Sequence, residues 1–239
     1  MPIEMNLIDP KQIEQIPYPV EYRASLGRLT PLLIEAMERD ELPIESGQIN
    51  LGNIDDEFKL PLFFFYWVTE SNEVIENLNL VLSDLRNLPT RYIVLSGSPR
   101  KRYYLLIRLY FYEYYRFREI FNRVVRGLQT GGYIGRLQVP KIRKTFHEAF
   151  EHIMEVRNNF VHGSPLWKGE KHFNLTLAGG AREIGFALGH KETGKLWDIA
   201  DVLKDLCDST ADILRDEGNR MSRALQNTVR LFVKLTLNA

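Results

Sequence analysis

One cysteine, Cys207, is all the thiol chemistry this 239-residue chain has. A single thiol excludes an intrachain disulfide and any metal site built from several cysteines, and it suits a reducing cytoplasm. Long apolar runs are also missing. The longest, Leu60 to Val68, stops at Thr69-Glu70, short of the ~18 residues that a membrane span needs. Met1-Pro2-Ile3-Glu4 lacks the basic start and apolar core of a signal peptide. No membrane association and a cytoplasmic location are therefore expected. The common catalytic signatures are absent as well. There is no Gly-x-Ser-x-Gly and no Gly-Lys-Ser/Thr, and Gly131-Gly132-Tyr133-Ile134-Gly135 lacks the strand before and helix after that a phosphate loop requires. His147-Glu148 and Glu151-His152 set two histidines five apart rather than the four of zinc proteases, so a solvated, salt-bridged face is expected there. Nothing in the chain calls for a metal or a cofactor.

Net charge is zero, but its distribution is uneven. Residues 1–90 carry six Lys/Arg against sixteen Asp/Glu, a balance of −10. Residues 91–145 carry thirteen against two, a balance of +11, and residues 146–239 come to −1. A basic middle segment can meet the phosphates of a nucleic acid, or it can pair with the acidic N-terminal segment inside the same fold. Charge alone leaves both open.

What the chain does have is helical periodicity. With 44% hydrophobic residues it can bury one large core. Thr30-Pro31 reads as a helix start with Leu32, Leu33, Ala36 and Met37 on its apolar face, ending near Asp40, and residues 41–59 as a polar loop. From Leu60 to about Asn87 apolar residues recur at three- and four-residue spacing, with a break expected near Ser71 and a stop at Pro89. Tyr92 to Leu95 reads as a short extended connection. Ser98-Pro99 opens the longest helix, roughly 99–128, ended by Gly127 and Gly131-Gly132. Its many aromatics are expected in core or subunit packing rather than in base stacking. A further helix runs from Pro140 to His162. Phe173–Leu177 and Glu183–Leu188 flank Gly179-Gly180 and read as a β-hairpin inserted at 163–194. Two more helices follow, 195–216 and 217–236. The expected fold is mainly α, a bundle of four to five long helices over residues 60–239 with a small inserted hairpin, and residues 1–59 as an N-terminal extension packed on it.

Three features carry candidate chemistry. Arg100-Lys101-Arg102 puts three cations in a helix's first turn, against the helix dipole, where a phosphate would be welcome. Glu113 interrupts the apolar stripe Leu106, Tyr110, Phe117, Ile120, Val124, and a carboxylate there needs a cation as partner. Arg157 is a candidate for that role; Arg116 and Arg118 are the local alternatives. The third feature is Arg157-Asn158-Asn159-Phe160-Val161-His162, placed at a helix end by Gly163 and Pro165. An arginine fork can hold phosphate oxygens, and a histidine can move a proton near neutral pH. Twenty arginines and five histidines in 239 positions give about 0.4 chance matches to this spacing, so the bare pair says little. Five residues on a regular helix also leave the two side chains about 140° apart. They converge only where the helix loosens or where a second subunit supplies the missing group.

In its all-helical setting, Arg157-Asn158 with His162 resembles the signature of the HEPN superfamily (higher eukaryotes and prokaryotes nucleotide-binding domain). That signature is an arginine, commonly followed by Asn, Asp or His, with a histidine four to six residues on, at a helix end in a four- or five-helix bundle. The resemblance covers residues 60–236 in architecture and six residues in motif. It implies a metal-independent endoribonuclease acting as a homodimer, with both Arg/His pairs in one cleft. His162 would be the general acid or base at the ribose 2′-hydroxyl, Arg157 would stabilise the phosphorane-like transition state, and Asn158 would position the phosphate or the arginine. The toxin ribonucleases of the superfamily imply in addition a protein partner of the antitoxin kind. Other members are not catalytic, which leaves a module binding nucleotide, RNA or protein as the alternative. A helical interaction protein that carries the motif by chance is a third.

Overall fold

The computed structural model describes residues 11–38, 44–45, 48–49, 55–91, 97–161, 189, 194, 196 and 199–237. It is mainly helical. A 3-10 turn at Val20–Tyr22 leads into α1 (Arg23–Glu38). The long helices are α2 (Asp56–Arg91), α3 (Pro99–Thr130), α4 (Gln138–Val161) and α5 (Ile199–Leu237). No described helix is long and apolar enough to cross a membrane.

α2 lies at the centre of the bundle, antiparallel to both α3 and α5. The pairs Asn77–Glu113 and Glu73–Arg116 mark the first contact. Trp67–Phe232 and Arg86–Asp212 mark the second. α4 returns against α3, where Phe146 stacks face to face on Phe121, with ring centroids 3.5 Å apart, and Phe150 meets Tyr114. These contacts all feed one core that runs from Phe64 and Trp67 through Phe111 and Phe121 to Phe232. α3 and α5 are further tied by buried hydroxyls: Tyr103 pairs with Thr210 at 2.8 Å, and Tyr110 donates to the Leu214 carbonyl at 2.6 Å. Most aromatics of α3 thus serve the core, as buried Tyr and Phe do when each polar tip finds a partner, whereas Tyr112 is exposed.

Several expected boundaries move. α1 starts at Arg23, one turn and more before Thr30-Pro31. Thr30 does not cap a helix; its hydroxyl donates to the Leu26 carbonyl inside one. The break expected near Ser71 is absent. Ser71 is fully buried in an unbroken α2, and its hydroxyl has no hydrogen-bond partner among the described residues. It therefore does not pull on the carbonyl one turn back, which is how a mid-helix serine bends a helix. α2 also runs through Pro89 to Arg91, because a proline in the last turn forfeits only one hydrogen bond. The two helices expected over 195–236 are one, α5, and Gly218 lies inside it. Ser98 does cap α3, accepting from the Lys101 amide at 3.3 Å, with Pro99 at the first helical position.

The stretch read as a loop holds a two-residue antiparallel hairpin, β1 (Ile44–Glu45) and β2 (Gln48–Ile49). The hairpin expected over 163–194 lies almost wholly outside the described residues; one bridge, Gly189 to Leu196, is seen beside it. The N-terminal residues join the bundle directly. Ile13, Ile16 and Tyr22 enter the main core, and Leu29 of α1 forms a second apolar cluster with Phe58 and Leu62 of α2.

Candidate functional site

α4, described to Val161, carries the Arg157-Asn158 pair in its last two described turns. The backbone of Arg157 and Asn158 is helical, but their side chains lie outside the described residues, as does all of His162. The distance between Arg157 and His162 is therefore not among the geometry seen.

Glu113 is seen in full. Its side chain is 13% exposed, and its Oε2 accepts from Arg116 Nη1 at 2.9 Å and from Asn77 Nδ2 at 3.1 Å. Arg116 reaches on to Glu73 at 3.5 Å. The apolar stripe thus tolerates its carboxylate because a cation one turn on and an amide from α2 satisfy it. Glu113 works here as a clamp between α2 and α3.

Arg100, Lys101 and Arg102 occupy the first turn of α3. Arg102 lines a shallow cleft of about 170 Å³ with Arg91, Asp84 and Leu105. Farther along α3, Arg116, Arg123 and Arg126 line an open cleft of about 380 Å³ with Glu70 and Glu119. Two cross-helix ion pairs tie the basic segment to the acidic one, Arg116 to Glu73 and Arg123 to Glu70. Neutralisation goes no further for many of the other cations. Arg100, Lys101, Arg108, Arg126 and Arg136 make no ion pair among the described residues. The expected pairing with the acidic segment is thus seen in part: Arg116 and Arg123 clamp α3 to α2, while Arg108, Arg126 and Arg136 are exposed.

The sequence reading overlooked one cluster. His147 faces two arginines, Arg118 of α3 and Arg143 of its own helix. Burial first, and then these two cations, push its imidazole below the ordinary value of 6.5. The Arg143 Nε is buried without a hydrogen-bond partner among the described residues, and Arg118 lies over the Tyr115 ring at 5.8 Å. Lys144 pairs with Glu148 at 3.8 Å on the exposed side, as expected of that face. The four-residue step from Arg143 to His147 was the available signal, but Arg118 comes from another helix and has no local signature. No group of His, Cys, Asp and Glu suited to a metal ion occurs among the described residues. Cys207 is buried, and its thiol is pushed up to about 12 by that burial, so it is no nucleophile.

Set against family descriptions, curated proteins and solved structures, the chain matches none.

Proposed function

We propose that this chain is a metal-independent endoribonuclease of the HEPN type, acting as a homodimer in the cytoplasm. The end of α4 carries the reading. The helix holds the backbone of Arg157 and Asn158 near its last described residue, Val161. The reading takes His162 to lie past the regular helix or to be matched with Arg157 of a second copy, either of which would meet the 140° spacing. Outward-facing cations on α3 and in the α3–α4 connection, Arg108, Arg126 and Arg136 among them, supply a surface for a phosphate backbone. Exposed Leu80 of α2 with Leu105, Leu109 and Tyr112 of α3 supply an apolar face for a second copy.

In this mechanism His162 takes the proton from a ribose 2′-hydroxyl, and the 2′-oxygen attacks the adjacent phosphorus. The 5′-oxygen of the next nucleotide leaves and takes up a proton from a general acid, for which His162 of the second copy is suited. Arg157 neutralises the charge gathering on the phosphoryl oxygens, and Asn158 holds the phosphate or the arginine in place. The products are a 2′,3′-cyclic phosphate and a free 5′-hydroxyl. A protein partner of the antitoxin kind is part of the same proposal.

Incubation with mixed RNAs in EDTA tests this. The wild-type chain is expected to cut and to leave cyclic phosphate ends. His162→Ala should slow cutting roughly 100- to 10,000-fold. Undiminished cleavage by His162→Ala removes the histidine from the chemistry. The exposed cations that make no ion pair among the described residues also favour a second reading, a non-catalytic RNA-binding module; its mark is salt-sensitive RNA binding with no cleavage by the wild type.

A further inference from the structure

α3 and α4 meet through two ring contacts, and cations gather beside them. Tyr114 meets Phe150 with ring centroids 5.6 Å apart, and Phe121 stacks on Phe146 at 3.5 Å. Arg118 lies between Tyr114 and Phe121 on α3, about one helical turn from each. His147 lies between Phe146 and Phe150 on α4, and Arg143 is one turn before it on the same side of that helix. The register set by the rings therefore brings Arg118 to His147 and Arg143. All three residues are half-buried at the seam between the helices. They are close enough that, after burial, Arg118 and Arg143 are what hold the His147 imidazole below its ordinary value.

Such a cluster is costly as it stands. Like charges at a partly desolvated seam repel, and a guanidinium N–H removed from water needs an acceptor. The chain provides neither a counter-charge nor an acceptor there. Among the described residues Arg118, Arg143 and His147 make no ion pair, and the buried Arg143 Nε has no hydrogen-bond partner. The neighbouring carboxylates are placed elsewhere. Glu148 pairs with Lys144 on the exposed side, and Glu119 and Glu151 are exposed. Elsewhere on α3 arginines are neutralised: Arg116 has Glu113 and Glu73, and Arg123 has Glu70. Arg118 has a ring instead. Tyr115 holds it by the face of its guanidinium, which leaves the N–H fork at the edge for an acceptor.

We propose that Arg118, Arg143 and His147 form a binding site for one phosphate group, carried by a nucleotide or by an RNA chain. A planar carboxylate is satisfied by a single arginine fork, whereas a tetrahedral phosphate presents oxygens in several directions. Two guanidinium groups reaching in from two helices, with an imidazole beside them, match the second shape. A bound phosphate turns the repulsion among the three into attraction and gives the Arg143 Nε an acceptor. It also favours the protonated imidazole, so the His147 titration moves upward when the site fills. The site uses neither Arg157 nor His162 and does not rest on the ribonuclease reading.

The His147 ring protons of the full-length chain, assigned by their loss in His147→Gln, report on the site by NMR. Near pH 7 and at constant ionic strength, sodium phosphate is expected to move them along a saturating curve and to raise the pH at which the ring titrates. Sodium acetate is expected to do neither. Arg118→Gln and Arg143→Gln should each weaken the phosphate response about tenfold or more. Two further titrations identify the source of the phosphate: adenosine 5′-monophosphate, and a short 2′-O-methyl RNA, which cannot be cut through its 2′-oxygen. Saturation at lower concentration by the RNA assigns the site to a chain phosphodiester, and the reverse order assigns it to a free nucleotide. The proposal is overturned if wild-type His147 ignores phosphate, nucleotide and RNA alike, or follows acetate equally. It is overturned as well if the shift survives both arginine substitutions undiminished, or if a phosphoserine peptide saturates the site at lower concentration than either nucleotide probe.

Discussion

The two flanks of α2 solve opposite problems. On the α5 side, polar groups turn inward and are matched: side-chain amides meet main-chain amides, and one glycine makes room for one isoleucine. On the α3 side, charge is abundant and only partly matched, with Arg116 and Arg123 clamped to α2 and Arg108, Arg126 and Arg136 left facing outward. Matched neutral groups specify one internal arrangement. Unmatched exposed charges stabilise little and are available to something outside the chain. Conformational specificity is therefore expected from the α2–α5 groove, and the polyanion recognition proposed above would fall to α3 and its connection to α4.

Truncating Ile16, in the N-terminal segment that lies between α2 and α5, gives the sharpest break in that comparison. Ile16→Ala empties a pocket in the main core, where Ile16 is 3% exposed. It should destabilise the chain by about 2–5 kcal/mol in denaturant unfolding. The combined Arg108→Gln, Arg126→Gln and Arg136→Gln change should stay within about 0.5 kcal/mol of wild type for each exposed site. It should still lower RNA affinity and flatten its salt dependence by about one charge per residue removed. Equal stability losses from the two sets would mean that the cations are structural, and the comparison would collapse.

Gly218 sharpens the same contrast on a smaller scale, because two effects oppose each other there. An alanine inside an α-helix is favoured over glycine by about 1 kcal/mol. The added methyl meets Ile13 Cδ1 at 2.2 Å and the Tyr110 hydroxyl at 3.0 Å. Overpacking of this kind costs about 1–3 kcal/mol. Gly218→Ala should therefore destabilise the wild type slightly. In an Ile13→Ala background the main clash is gone, and the same change should stabilise. A double-mutant cycle in urea reads the reversal of sign. A constant effect in both backgrounds would show that Ile13 does not set the need for glycine.

The helices were legible because burial follows a 3.6-residue period whatever the partner. Leu78, Val81, Leu82 and Leu85 all lie in the core, as their spacing requires. The Ser98-Pro99 start was legible because a cap is local chemistry. The breaks at Ser71 and Gly218 were misread because tertiary contacts decide them: an idle hydroxyl in one case, an isoleucine two hundred residues away in the other. The docking of Ile13 and Ile16 on Asn79 and Asn72 went unseen for a similar reason. Asn72 and Asn79 look like ordinary polar positions of a helix until the chain that they hold is in place. Glu113 was legible as a charge that needs a partner, and the choice of Arg116 follows from the i, i+3 geometry. For Arg157, Asn158 and His162 the spacing is local, but whether their side chains converge depends on contacts that no spacing encodes.

The smallest expected effect concerns His147, and it tests whether the α3–α4 face carries net positive potential. Burial and then Arg118 and Arg143 depress its pKa below 6.5. A depressed value means that the folded chain holds fewer protons than the unfolded one as pH falls through that range. Stability is then fully present above pH 6.5, and falls as the solution is acidified towards the folded value. Arg118→Gln removes one of the two cations, so it should move the His147 titration back towards 6.5 and reduce the acid sensitivity. Proton NMR on a chain with five histidines can follow the imidazole directly, with His147→Gln to assign it. The competing influence is Glu151, one helical turn on, whose carboxylate would pull the value up. A His147 that titrates above 6.5, and is unmoved by Arg118→Gln, would mean that the carboxylate wins. In that case this part of the surface is locally neutral, and phosphate recognition would have to rest on the cations of α3 and its loop alone.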